Sequence, residues 1–266
     1  MNVPVSVIIP CYRSVDTIAR TVASVAKQTL KPAELIIVDD CSNDNTKEVL
    51  QRLQNEYGKN WIKLEFLEKN SGPSVARNTG WELASQEYIA FLDADDAWHP
   101  SKIAVQYLWM IEHPEVVLTA HARILGKSYE ICSNFQVPEY IEAKFVSKYQ
   151  ILSSNKFFTS CVMLKNNIYH RFSIKKKYSE DYLLWLEIMH NGGISAILNC
   201  PLAIYFKEYF GEAGLSSKLW EMERSELDNY KIIWKKGYIS SIELFVFSIW
   251  SFTKYLRRVL ITNLRK

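Results

Sequence analysis

The chain has 266 residues, 48% hydrophobic and 23% charged, enough to bury one large domain or two small ones and too apolar for a disordered chain. The formal net charge of +3, with acids and aromatics interspersed among the basic residues, argues against nucleic acid as a partner. Five scattered cysteines (Cys11, Cys41, Cys132, Cys161, Cys200) form no zinc-like spacing, and their odd number suits buried free thiols in a reducing compartment.

Met1-Asn2-Val3-Pro4-Val5 runs straight into a strand pattern without the features of a signal peptide, so a cytoplasmic location is expected. Residues 5–9 (Val-Ser-Val-Ile-Ile) form a short β-branched run, the mark of a strand buried on both faces. A helix follows with Ile18, Val22, Val25 and Ala26 on one face and Ser14 or Asp16 as its cap. Residues 35–38 read as a second buried strand ending in Asp39-Asp40. A helix over 46–55, a strand over 62–67 and a helix over 74–84 come next. The strand over 88–92 then runs into Asp93-Ala94-Asp95-Asp96. Pro100 opens a helix to about Glu112, and 116–119 is a further strand. This rhythm predicts an α/β fold with a mostly parallel sheet, whose ligands gather outside the carboxyl ends of the strands. Both acidic clusters lie at such ends.

Residues 126–180 are less regular. A helix is predicted from near Asp181 to Gly192-Gly193, and two more from about Leu219, broken at Gly237-Tyr238. The apolar stretch 244–253 covers ten residues, against roughly 20 for a spanning helix.

Three motifs carry chemistry. In Phe91-Leu92-Asp93-Ala94-Asp95-Asp96, three carboxylates in four residues repel one another unless a cation or hydrogen-bond donors neutralise them. A D-x-D turn suits a hard divalent ion shared with a diphosphate; the plainer alternative is an acidic turn capping the next helix. In Val38-Asp39-Asp40-Cys41-Ser42-Asn43-Asp44-Asn45-Thr46, Asp44 and Thr46 suit an Asx turn and helix cap. Asp39 and Asp40 suit acceptors for a nucleobase N–H or ribose hydroxyls. In Asn70-Ser71-Gly72-Pro73-Ser74-Val75-Ala76-Arg77-Asn78, a Gly-Pro turn presents free backbone N–H groups, and Arg77 lies one turn into the helix.

Taken in order with Val5-Ser6-Val7-Ile8-Ile9-Pro10-Cys11-Tyr12, these motifs resemble glycosyltransferase family 2 over the first 100 residues. The likeness resumes at Ser179-Glu180-Asp181-Tyr182-Leu183-Leu184-Trp185-Leu186. The resemblance implies a GT-A (nucleotide-diphospho-sugar transferase) fold and an inverting glycosyltransferase with a nucleotide-sugar donor, UDP by default. Its cofactor would be Mn²⁺ or Mg²⁺. Pro10 and Tyr12 would contact the base and ribose, Asp39 and Asp40 would read the nucleoside, and Arg77 would lie near the nucleotide. The D-x-D is Asp93, Ala94 and Asp95, with Asp95 the metal contact and Asp93 nearer the ribose; Asp96 would orient the loop. Asp181 would be the general base, with Glu180 supporting it or binding acceptor. Trp185, one turn later, is either an acceptor-stacking residue or core.

The resemblance also divides the chain into a nucleotide-sugar-binding half over 1–125, an acceptor and catalytic-base half over 126–218, and a helical extension over 219–266. It departs from the family at Tyr205-Phe206-Lys207-Glu208-Tyr209-Phe210, which lacks the Arg-x-His of many members; Lys207 or Ser216-Ser217 would have to substitute. The Gln-x-x-Arg-Trp sequence of processive members is missing. In the tail, apolar residues with Lys254, Arg257, Arg258, Arg265 and Lys266 suit either an interfacial helix on the anionic inner face of the cell membrane or a helix packed on the domain or in a homodimer seam. The acceptor expected by resemblance is a glycan on a polyprenyl diphosphate, in bacterial O-antigen, capsule or other surface-polysaccharide synthesis. The remaining alternative is a nucleotide-sugar-binding scaffold at the membrane without turnover. No G-x-G occurs among the nine glycines, and His121 stands where the first P-loop glycine would precede Gly126-Lys127-Ser128, which argues against dinucleotide and P-loop readings.

Overall fold

The computed structural model describes residues 2–126, 128, 133–206 and 218–264. The chain divides into two compact units that interleave along the sequence. Unit 1 holds Met1–Phe145, Phe157–Tyr169 and Ile194–Phe206; unit 2 holds Val146–Lys156, His170–Gly193 and the C-terminal helices. The predicted cuts near 125 and 218 follow chain order. The observed division differs because the strand after Gly193 returns to the sheet of unit 1.

Unit 1 is built on a nine-stranded sheet in the order β3-β2-β1-β4-β8-β6-β9-β5, with β7 pairing on β9. The first half is parallel: β1 (Asn2–Cys11), β2 (Lys31–Asp39), β3 (Ile62–Phe66) and β4 (Tyr88–Phe91). Helices α1 (Ile18–Ala26), α2 (Thr46–Tyr57) and α3 (Pro73–Leu83) connect them. The second half is mixed. It contains β5 (Ala97–Trp98), β6 (Val116–Leu125), β7 (Ala143–Phe145), β8 (Met163–Lys165) and β9 (Ile194–Tyr205), with α4 (Lys102–Glu112) linking β5 to β6. β8 runs antiparallel to both β4 and β6, while β6 and β9 are parallel. The sequence pattern finds the parallel half because its strands are apolar on both faces. It misses short β5, β7 and β8, whose two or three residues carry no readable period.

Period-two alternation assigns the two faces of the parallel half. Val5, Val7, Ile9, Leu35 and Ile37 join a core with Ile18, Val22 and Val25 of α1, Leu50 and Leu53 of α2, and Ile103 and Met110 of α4. Ile36 and Val38 face the other way, onto Ala76 of α3. Gly80 sets how closely α3 lies on that face: a Cβ there would come within 2.5 Å of Ile8 Cγ2. Any larger residue would push α3, and Arg77 with it, off the sheet.

The unit also buries basic side chains. Lys102 is fully buried, its Nζ 3.7 Å from the centroid of the Trp98 ring, and burial holds its pKa well below the usual lysine range. On β6, His121 Nδ1 donates to Ala122 O at 2.7 Å; burial first, then Lys102, pushes its pKa down to about 3. Folded His121 therefore stays neutral where an unfolded histidine near 6.5 takes up a proton. The stability it contributes is present above about pH 6.5 and is lost as pH falls toward 3, at about 1.4 kcal/mol per pH unit. Urea midpoints are expected to drop between pH 6.5 and 4, and the drop to be shallower in His121→Gln. Parallel pH profiles for the two proteins would remove His121 as the cause.

Unit 2 is helical: α5 (Lys148–Ser153), α6 (Glu180–His190), α7 (Leu219–Lys235) and α8 (Ser241–Leu264). A reciprocal capping box starts α5, in which Gln150 N–H donates to Ser147 Oγ and Ser147 N–H to Gln150 Oε1. The hydroxyls of Tyr182 on α6 and Tyr230 on α7 lie 3.2 Å apart and both reach Leu152 O, which ties α5, α6 and α7 at one point.

Candidate active site

The parallel register brings the predicted donor residues of unit 1 to one edge. Cys11 pairs with Asp39 and Ile8 with Phe91, so Pro10–Tyr12, Asp39–Asp40 and Asp93–Asp95 all emerge at the carboxyl ends of β1, β2 and β4. Arg77 reaches the same edge from α3, where its Nη2 donates to Asp93 Oδ1 at 2.9 Å.

The D-x-D turn is held by its backbone. Arg20 Nη2 donates to Asp95 O at 2.8 Å, and Thr21 Oγ1 lies 2.9 Å from Ala94 O and 2.8 Å from Asp96 O. Ser160, in a 3₁₀ turn (Thr159–Cys161), donates its hydroxyl to Asp96 Oδ2 at 2.6 Å and accepts the Asp93 N–H at 3.2 Å. Asp96 is thereby the buried brace of the turn, while Asp93 and Asp95 are half-buried. Burial, then the Asp93 and Asp95 carboxylates, pushes the Asp96 carboxyl up to about 8. Arg123 offsets part of that; its guanidinium stacks 3.6 Å from the Phe158 centroid and 4.2 Å from that of Tyr205.

The edge beyond β1 and β2 is organised by loops that lock each other. Arg13 donates its N–H to Ser42 Oγ at 2.8 Å and its Nε–H to Asn43 Oδ1 at 2.7 Å. Asp39 accepts from Ser42 N–H and Oγ–H at 3.0 and 2.5 Å. Asp40 accepts the N–H groups of Ser71 and Gly72, both at 2.7 Å, where Gly72 adopts φ +88° at the entry to α3. Each carboxylate thus fixes a loop first, and has only its remaining lone pairs for any ligand. Pro10 is half-buried and Tyr12 is 44% exposed, with the Arg13 guanidinium 5.3 Å from the centroid of its ring.

In unit 2, Asp181 lies in the first turn of α6. Tyr182 N–H donates to Asp181 Oδ1 at 2.7 Å and Asn155 Nδ2–H to Oδ2 at 3.1 Å. Helix α7 holds the residues just before it, because Asn229 Nδ2–H donates to Ser179 O at 2.9 Å and Ser225 Oγ–H to Tyr178 O. Glu180 is buried. Among the described residues, the three non-glycines with positive φ are Arg13, Cys41 and Ser179. They follow β1, follow β2 and precede α6, and backbone strain of this kind is tolerated where the surroundings over-determine it.

Of the two readings of Trp185, core is the one the structure supports. Trp185 is fully buried and packs edge-on against Phe172 with centroids 5.9 Å apart, so its faces are core and not a platform for an acceptor sugar. Lys207 and Ser216-Ser217 lie outside the described residues. Among those described, no group of three or more His, Cys, Asp or Glu side chains is assembled to hold a metal. Asp93 and Asp95 still supply hard oxygen donors, the type that Mg²⁺ and Mn²⁺ take, with further ligands left to water or a diphosphate. Sequence reading missed Arg20, Thr21, Arg123, Ser160, Asn155 and Asn229. No local signal marks them, since these partners lie 26 to 82 residues away.

Residues 6–178 match the family model described as "Glycosyl transferase family 2". The chain belongs to that family. This glycosyltransferase is 36% identical over 228 residues to the Escherichia coli UDP-Glc:alpha-D-GlcNAc-diphosphoundecaprenol beta-1,3-glucosyltransferase WfgD, covering 83% of each chain. It is 31% identical over 247 residues to WfaP of Escherichia coli, which bears the same description, covering 92% of each. Among solved structures it resembles the mannosyltransferase PcManGT from Pyrobaculum calidifontis in complex with GDP-Man and Mn²⁺, with TM-score 0.69 and 15% identity over 100% of this chain and 76% of that one. It also resembles Staphylococcus aureus TarS 1–349 in complex with UDP-GlcNAc, with TM-score 0.66 and 21% identity over 86% and 66%. At these identities the structural likeness establishes the GT-A fold.

Proposed function

We propose that this glycosyltransferase moves a sugar from a nucleoside-diphosphate donor, a UDP-sugar, onto a hydroxyl of a polyprenyl-diphosphate-linked glycan in bacterial surface-polysaccharide assembly. The observation that carries the donor half is the braced Asp93-Ala94-Asp95 turn, which shares one sheet edge with Asp39, Asp40 and Arg77. The names of WfgD and WfaP support the acceptor class and the UDP donor.

In this reading Pro10 and Tyr12 contact the base and ribose, Asp39 and Asp40 accept from the nucleoside, and Arg77 keeps Asp93 oriented toward the ribose. A divalent cation, Mn²⁺ or Mg²⁺, held by Asp95 and Asp93 would neutralise charge developing on the leaving diphosphate. Asp181 takes the proton of the acceptor hydroxyl as that oxygen attacks the anomeric carbon, and Glu180 supports the base. A single displacement inverts the anomeric centre. The enzyme works at the inner face of the cell membrane, attached peripherally or as a homodimer. Among the described residues, no helix is long and apolar enough to cross a membrane.

The test is binding and turnover across a panel of nucleotide-sugars with Mn²⁺, Mg²⁺ or EDTA, supplied with polyprenyl-diphosphate-linked acceptors. One UDP-sugar is expected to turn over with metal and to give inverted product. Donor binding without turnover under every condition would favour the non-catalytic scaffold. No donor binding would sink the donor-site assignment.

A further inference from the structure

Helix α8 has two faces of different chemistry. On the inner face Ser251 is fully buried, Lys254 Nζ lies 2.9 Å from Glu226 Oε1 and 2.7 Å from Ser153 O, and Arg258 Nη2 lies 2.9 Å from Glu223 Oε2. Two of the tail's basic residues are therefore spent on intramolecular partners, which their spacing in the sequence does not reveal.

The outer face is apolar and open. At 100° per residue, Ile242, Ile249, Leu256 and Leu260 fall on one line, and Ile242 and Leu260 are 76% and 63% exposed. Phe245 and Phe252 flank that line on one side; Trp250 and Arg257 flank it on the other. The stripe runs for about 27 Å at 1.5 Å per residue. It carries no acid after Glu243. Monomeric soluble proteins rarely leave so long an apolar face uncovered.

We infer that this face docks on an anionic phospholipid bilayer, with α8 lying in the plane of the interface. The aliphatic line enters the acyl region, the aromatic flanks lie at the headgroup boundary, and Arg257 meets lipid phosphate. Charge decides between lipid and a second copy. The exposed charge on the described part of this face after Glu243 is cationic, which complements a phospholipid surface and not an identical face. Because Lys254 and Arg258 are tied to Glu226 and Glu223, apolar insertion carries most of the binding. The inference rests on the proposed lipid-linked acceptor and deepens it, since a bilayer-bound α8 keeps the enzyme where such acceptors reside.

The experiment is vesicle flotation of the full chain on phosphatidylcholine with and without phosphatidylglycerol, at low and high salt. Wild type is expected to float on the anionic vesicles and to stay bound, with at most a several-fold loss, at high salt. Ile249→Glu with Leu256→Glu should cut the bound fraction by roughly tenfold or more without changing the melting temperature, because both sites are exposed. Arg257→Glu should weaken binding several-fold on anionic vesicles and little on neutral ones. Wild type remaining lipid-free would overturn the inference. So would light scattering that shows a dimer dissolved by the same substitutions with no flotation. UDP-sugar binding measured on the same preparations separates the two readings: flotation without donor binding would leave the membrane surface standing and remove the proposed donor site.

Discussion

Asp181→Asn is expected to lower the transfer rate by about 10²- to 10⁴-fold while donor binding stays within a few-fold of wild type. The amide cannot accept the acceptor's proton, whereas the donor residues belong to other elements of the chain. The substitution also has a structural effect that can be measured separately. Asp181 receives a hydrogen bond on each oxygen, from Tyr182 N–H and from Asn155 Nδ2–H, and an asparagine can accept only one of them. A stability loss of about 1–2 kcal/mol is therefore expected, visible in the melting temperature and distinct from the rate. Asn155→Ala is the control, since it removes the same hydrogen bond and leaves the carboxylate. Its rate should fall much less than that of Asp181→Asn. Equal losses in the two variants would assign the effect to positioning and remove Asp181 as base.

Chelation is expected to abolish turnover, and Asp95→Asn to lower it by about 10²- to 10³-fold with a raised metal requirement. The carbonyl of Asp95 is already held by Arg20, and that bond survives the substitution. What the variant removes is a carboxylate on a turn whose backbone stays in place. Ser160→Ala makes the useful comparison. It frees Asp96 and the Asp93 N–H while leaving both proposed carboxylate ligands in the chain, so it should raise the metal requirement with a smaller loss at saturating metal. Full turnover in EDTA would remove the cation from the proposal.

The parallel half of the fold was legible because each of its strands is a short apolar run on both faces and each intervening helix has one clear stripe. The acidic clusters could be placed for the same reason: a carboxylate that directly follows a buried strand must lie at the sheet's carboxyl edge. The braces of the turn could not be read this way. Thr21 and Arg20 look like ordinary positions of an amphipathic helix, and Ser160 stands in a stretch without period, more than 60 residues from its partners. Trp185 had two readings on the sequence, since its helical spacing suits both a core residue and a ring exposed to sugar. Only its full burial against Phe172 separates them.

Taken alone, the sequence determined the α/β class and the membership in glycosyltransferase family 2, and it pointed to the candidate carboxylates, because these depend on local periodicity and on motifs a few residues long. Tertiary structure decided the rest. It made Asp96 a buried brace and left Asp93 and Asp95 half-buried, and it turned Asp39 onto its own loop and Asp40 onto the loop before α3. It also gave Lys254 and Arg258 partners on α7, so that the outward face of α8 is apolar rather than basic. The physical reason is common to all of these. Residue type sets what a side chain can do, but burial and hydrogen-bond partners come from segments distant in the chain, and those decide which of its capacities remains for a ligand.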